Sequence, residues 1–142
     1  LIALLRHGQP IYGGIHQPVA ALRCIGNNEQ AWFNGELTQM RVPKAFDETT
    51  LLATDIVNIA RMHNKEGFYK LLDRVKLFRT WGDGFGYLLL ASGKADIMLD
   101  AKMAPWDILP VIPVVRGAGG RITTFSGGDP VTGTSAVTSH KN

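Results

Sequence analysis

Three aspartates, Asp83, Asp100 and Asp107, fall within 25 residues of one another, each at the boundary of a regular element. Carboxylates so placed can turn toward one cleft, where their oxygens suit a hard divalent cation or a protonated amine. Each also has a purely structural reading. Asp83 stands in Trp81-Gly82-Asp83-Gly84, just ahead of a helical stretch, where Asp is a favoured N-cap. Asp107 opens the next helix after Pro105-Trp106; a carboxylate there can cap the backbone with one oxygen and hold a cation with the other. Asp100 ends a short strand, a common place for a turn residue. Spacing alone leaves both readings open at all three positions.

Other motifs carry less chemistry. Gly82, Gly84 and Gly86 precede a helix and could bring backbone N–H groups to an anion. Gly117-Ala118-Gly119-Gly120 follows a helix instead, at the negative end of its dipole, so it reads as a C-cap and close-packing turn. His7, His16, His63 and His140 share no ligand spacing, which argues against a zinc site. Cys24 lies on an expected strand as a small core residue, and no Ser or Cys stands in a nucleophile motif.

The elements that must position these residues follow from pattern. Leu1 to Leu5 reads as a buried strand, Ile11 to Gln17 and Val19 to Ile25 as its neighbours, and Ala31-Trp32-Phe33 as a fourth. Asn34-Gly35 is the strongest hairpin signal, because a type I′ turn needs positive φ at both central residues. Residues 1–47 thus form an antiparallel meander, ending in a connector from Pro43 to Asp47. Residues 48–142 form a mixed half of the same single piece. Thr49 to Ile56 is an expected strand. Phe68, Leu71, Leu72 and Val75 recur at helical spacing from Lys65 onward. Leu77 to Thr80 is extended, Gly84 to Ser92 helical, and Ala95 to Leu99 a strand. If Asp107 caps the next helix, Pro110 takes its third position, while Pro113 is interior and should kink the helix or release one carbonyl. Apolar on nearly every side, that helix belongs between layers. Strands at Arg121 to Phe125 and Ser135 to Thr138 close the pattern, which is of the α/β (α+β-like) class.

Composition agrees with an enzyme-like domain. The 142 residues are 45% hydrophobic and 19% charged, enough for one real core and too few for two comfortable domains. A net charge of +3, with scattered Lys and Arg, does not single out nucleic acid. A lone cysteine fits a reducing cytoplasm, and no apolar run reaches membrane-spanning length.

The run from Trp81 to Gly120 resembles the inositol monophosphatase superfamily, through Trp106-Asp107, the apolar helix behind it and its Gly119-Gly120 end. Gly82-Asp83-Gly84-Phe85-Gly86-Tyr87, and Ile112-Pro113 with Gly117-Ala118-Gly119-Gly120, look most like its histidinol-phosphate phosphatase branch. Gly8-Gln9-Pro10, His16-Gln17-Pro18 and Phe33-Asn34-Gly35 follow the same branch's pattern. Ala101 and Arg116 depart from it, replacing a frequent proline and a frequent acid. Asp129-Pro130-Val131-Thr132-Gly133-Thr134 imitates the family's DPxDGT metal loop, but Thr132 replaces the second acid, so it is set aside.

The resemblance implies a layered sheet-and-helix sandwich and a phosphomonoesterase using two or more Mg²⁺ ions, with metal-activated water attacking phosphorus. Asp107 would be a metal ligand. Asp83 and Asp100 would face the alcohol part of the substrate, and Gly82 would let it approach. Two acids there favour the cationic amine of histidinol phosphate over neutral inositol hydroxyls; inositol 1-phosphate is the alternative substrate. The implied partners are a small phosphorylated alcohol and a second copy in a homodimer. The family's helical layer, metal-binding glutamate and DPxDGT loop have no counterpart ahead of Leu1. The expectation is therefore the C-terminal half of such an enzyme, inactive by itself. A non-catalytic RNA- or protein-binding module is the rival from another class.

Overall fold

A computed structural model describes residues 1–43 and 45–141. Five strands, β1 (Ile2–Arg6), β2 (Gln9–Gln17), β3 (Leu22–Gly26), β4 (Ala31–Phe33) and β5 (Glu36–Thr38), pair in chain order as an antiparallel meander. Asn34 and Gly35 join the last two with φ of 50° and 94°, as the hairpin motif requires. The connector expected over Pro43 to Asp47 lies partly outside the described residues, at position 44.

The second sheet runs β7-β6-β8-β10-β9. Its strands are β6 (Thr50–Ala53), β7 (Leu77–Thr80), β8 (Ile97–Asp100), β9 (Gly120–Thr123) and β10 (Ala136–His140). β6 is parallel to β7 and β8, while β10 is antiparallel to β8 and β9. Alternation along β6 and β8 divides two cores. Leu52 and Met98 face α3 (Asp83–Ala91) and α4 (Pro105–Gly117), whereas Leu51, Ala53 and Leu99 face α1 (Ile56–Met62) and α2 (Lys65–Leu72). The order of layers is meander, α3 with α4, second sheet, α1 with α2. Helix α4 is buried between the sheets, as its all-round apolar sequence predicts.

The fit of α4 on the meander is backbone against backbone. Gly13 and Gly26 are register partners on β2 and β3. A Cβ on Gly13 would lie 1.9 Å from the carbonyl oxygen of Pro110, and one on Gly26 would lie 2.4 Å from that of Pro113. The Pro113 carbonyl also accepts from Asn28 N–H at 3.2 Å. Gly119, at φ 85°, ends the helix as the Gly-rich turn predicts.

Four sequence expectations are corrected here. β1 is not a buried strand: it is a sheet edge with Ile2, Leu4 and Leu5 exposed. Register aligns Ile2, Gly14, Ile25, Trp32 and Leu37 across the meander on the face turned away from α4. An apolar run reads as buried whether or not anything covers it. The strand expected to reach Ile56 stops at Ala53, since Asp55 caps α1 by accepting from Asn58 N–H at 3.0 Å. Neither Asp83 nor Asp107 is an N-cap. Gly82 precedes α3 and Ala104 precedes α4; Asp107 is the third helical residue and reaches back to Ala104 N–H at 3.2 Å. Pro110 is consequently interior and not at the third position, so α4 carries two interior prolines.

Candidate active site

The three aspartates reach one cleft by three routes. Asp83 starts α3 in the left-handed region, φ 52°, a conformation that Asp tolerates better than most residues. Asp100 ends β8, where Thr54, just past β6, donates its hydroxyl to Oδ1 at 2.9 Å. Asp107 projects from the first turn of α4, with one oxygen on Ala104 N–H. Together with Leu1, Gly84, Tyr87, Lys102, Met103 and Val111 they line a cleft of about 40 Å³, space for an ion or a water but not for a sugar-sized molecule. Gly82 does not line it; a Cβ there would meet only Thr54 Cγ2, at 3.9 Å.

Burial and crowding set the electrostatics. Burial pushes the Asp100 carboxyl up to about 6, and the charges of Asp83 and Asp107 add to the rise. The Thr54 hydroxyl and the backbone at Lys102 oppose it. Tyr87, fully buried, has its phenol raised well above the ordinary value by burial first and by Asp100 second. It stays a neutral donor, toward Met103 Sδ at 3.5 Å. Among the described residues, no three His, Cys, Asp or Glu side chains converge tightly enough to hold a metal ion. Asp107 can offer one oxygen to a cation, but the chain's described residues do not form a complete metal cage.

Thr54, Lys102 and Met103 are missing from the sequence reading, and Tyr87 enters it only as the end of the Gly82-Asp83-Gly84-Phe85-Gly86-Tyr87 motif. Lys102 was the accessible one, since a cation two residues after Asp100 shares its turn. Thr54 becomes visible only once β6 and β8 are known to be parallel neighbours. The set-aside imitation loop is structural: Asp129 caps the 3₁₀ turn Pro130–Thr132, accepting from Val131 N–H at 3.0 Å. Cys24 is buried, and burial pushes its thiol up to about 11, so it is a core residue without nucleophilic character.

A sheet–helix–sheet–helix stack with acids gathered at strand and helix ends defines a layered α/β fold with an acid-lined cleft. The sequence profile of the inositol monophosphatase family matches residues 1–142, and the chain belongs to that family. It is similar to the chloroplastic bifunctional phosphatase IMPL2 of Arabidopsis thaliana, at 35% identity over 89% of this chain and 37% of the relative. It is also similar to the histidinol-phosphatase of Mycobacterium tuberculosis, at 32% identity over 96% of this chain and 55% of the relative. Among solved structures, an inositol monophosphatase from Zymomonas mobilis superposes with a TM-score of 0.83 at 26% identity, over 96% of this chain and 55% of that one. The fold expected from the sequence is thus of the inositol monophosphatase type. The chain spans about half the length of the mycobacterial relative, and less of the plant one.

Proposed function

We propose that the chain forms one wall of the active site of a Mg²⁺-dependent phosphomonoesterase, and that the substrate is histidinol phosphate. The observation that carries this reading is the meeting of Asp83, Asp100 and Asp107 in one cleft from three separate elements. Asp107 would give one oxygen to the metal while its other oxygen stays on Ala104 N–H, which fixes the direction of the carboxylate. The metal, when bound, supplies charge neutralisation at the phosphate and a more acidic water. Asp83 and Asp100 would orient the alcohol part, each able to accept from an ammonium or imidazolium group, and this favours an amino alcohol over inositol. Relatives named as histidinol-phosphatases support the same choice.

The small cleft and the incomplete ligand set agree with further walls and ligands coming from outside these 142 residues. A single carboxylate holds Mg²⁺ poorly, so this chain by itself would not turn over. The buried free cysteine accords with a reducing compartment, and no helix among the described residues is long and apolar enough to cross a membrane.

The test is phosphate release by the complete polypeptide that carries this chain, with histidinol phosphate and inositol 1-phosphate compared with Mg²⁺ present and chelated. Preference for inositol 1-phosphate would remove the substrate assignment; no release from either would remove the reaction class.

A further inference from the structure

We propose that His63 is a positioning residue for Asp100, fixing from behind the turn that carries this carboxylate into the cleft. The inference rests on the reading of Asp100 as a substrate contact. His63 directly follows α1, and Asn64 caps α2 by accepting from Gly67 N–H at 2.8 Å, so the elbow between the helices is tied down. From that elbow, Nε2 of His63 lies 2.9 Å from the carbonyl oxygen of Ala101. A carbonyl only accepts, so Nε2 carries the proton and donates. The ring stacks on Phe125, centroids 3.9 Å apart and planes 9° from parallel, which aims the N–H bond.

The geometry gives α1 a purpose. Thr54, ahead of the helix, holds the carboxylate of Asp100, and His63, behind it, holds the carbonyl of the next residue. The far end of the turn is tied by Met103 N–H to the carbonyl of Thr134 at 2.7 Å. Ala101 is only 1% exposed, so in the folded chain its carbonyl is satisfied by His63 and not by bulk water. A buried acceptor left empty drives the peptide to rotate, and rotation at Ala101 redirects Asp100 relative to Asp83 and Asp107. His63 does not line the cleft, so it acts on substrate only through that turn.

The experiment places His63→Ala and His63→Gln in the complete polypeptide and reads steady-state kinetics beside amide hydrogen exchange. The expected result for His63→Ala is KM for histidinol phosphate raised about tenfold with kcat within about twofold, because the amine-side contact moves while the phosphate side does not. His63→Gln, whose amide can still donate to Ala101, should recover most of the KM. Exchange at Ala101 and Lys102 should accelerate roughly tenfold in His63→Ala and not along β8 or β10. Unchanged exchange there, or faster exchange with an unmoved KM, would overturn the proposal, as would equal losses in the Ala and Gln variants. If the polypeptide hydrolyses neither phosphate ester, the proposed function falls; the exchange data then still decide whether His63 holds the turn.

Discussion

The hydroxyl of Thr54 donates to Oδ1 of Asp100 across 2.9 Å, joining the ends of two parallel strands, β6 and β8, behind one of the acids that line the cleft. It offsets part of what burial and two neighbouring acids do to Asp100. Replacing it with the near-isosteric valine removes the bond and keeps the shape. In Thr54→Val the Asp100 carboxyl should titrate above its present value of about 6. Carbonyl-carbon NMR of Asp100 against pH checks this; an unchanged midpoint would mean that the hydroxyl does not hold the charge.

Asp100 also couples stability to pH. Its folded value of about 6 lies above the ordinary 3.8, so between the two the native state binds the extra proton. Stability from this group is therefore present below the lower value and is lost as pH rises toward the upper one, by at most about 3 kcal/mol. Asp100→Asn should be the more stable protein at about pH 7.5, with the advantage gone near pH 4. Urea unfolding of both proteins at the two pH values measures it.

Gly13 meets the carbonyl of Pro110 at a distance that leaves no room for a methyl group. Gly13→Ala must push α4 away from the meander and should cost about 3 kcal/mol or more. At the neighbouring Gly14, a methyl group would find no other atom within 4 Å, so Gly14→Ala serves as control and should leave the melting temperature nearly unmoved. Equal effects in the two variants would contradict the backbone contact.

Asp96 is buried and its carboxylate takes a bidentate pair from Arg41 together with Thr50 N–H at 2.7 Å. Arg41→Ala strips two donors from a carboxylate that is fully covered in the parent chain. The expected cost is about 2 kcal/mol. Denaturant titrations of the parent and the variant test the pair.

Much of this fold is legible because its signals are local. Asn34-Gly35 announces its turn through the one backbone geometry these residues favour, and the length and apolarity of Val111 to Ala118 place α4 between layers. What was not legible depends on partners. Leu1 to Leu5 is apolar, but burial needs a neighbour that the sequence does not display. Helix α1 was hidden because Thr49 to Ile56 is rich in β-branched residues; Asp55 and Asn58, three apart, were the overlooked sign of its start. The caps were misplaced because a carboxylate one or three residues inside a helix end looks, in sequence, like one at the end. The gathering of Asp83, Asp100 and Asp107 came from family likeness, since spacing alone describes three unrelated turns equally well.

The left-handed backbone at Asp83 has a consequence for how specificity can drift. A β-branched or bulky side chain fits poorly at φ 52°, which leaves Asp, Asn and Gly as the easy occupants. Exchange within that trio keeps the main-chain path and alters only what is offered to the ligand: a charge, an amide or nothing. Selectivity at this corner can then change in discrete steps, one substitution at a time, without the helix behind it having to be rebuilt.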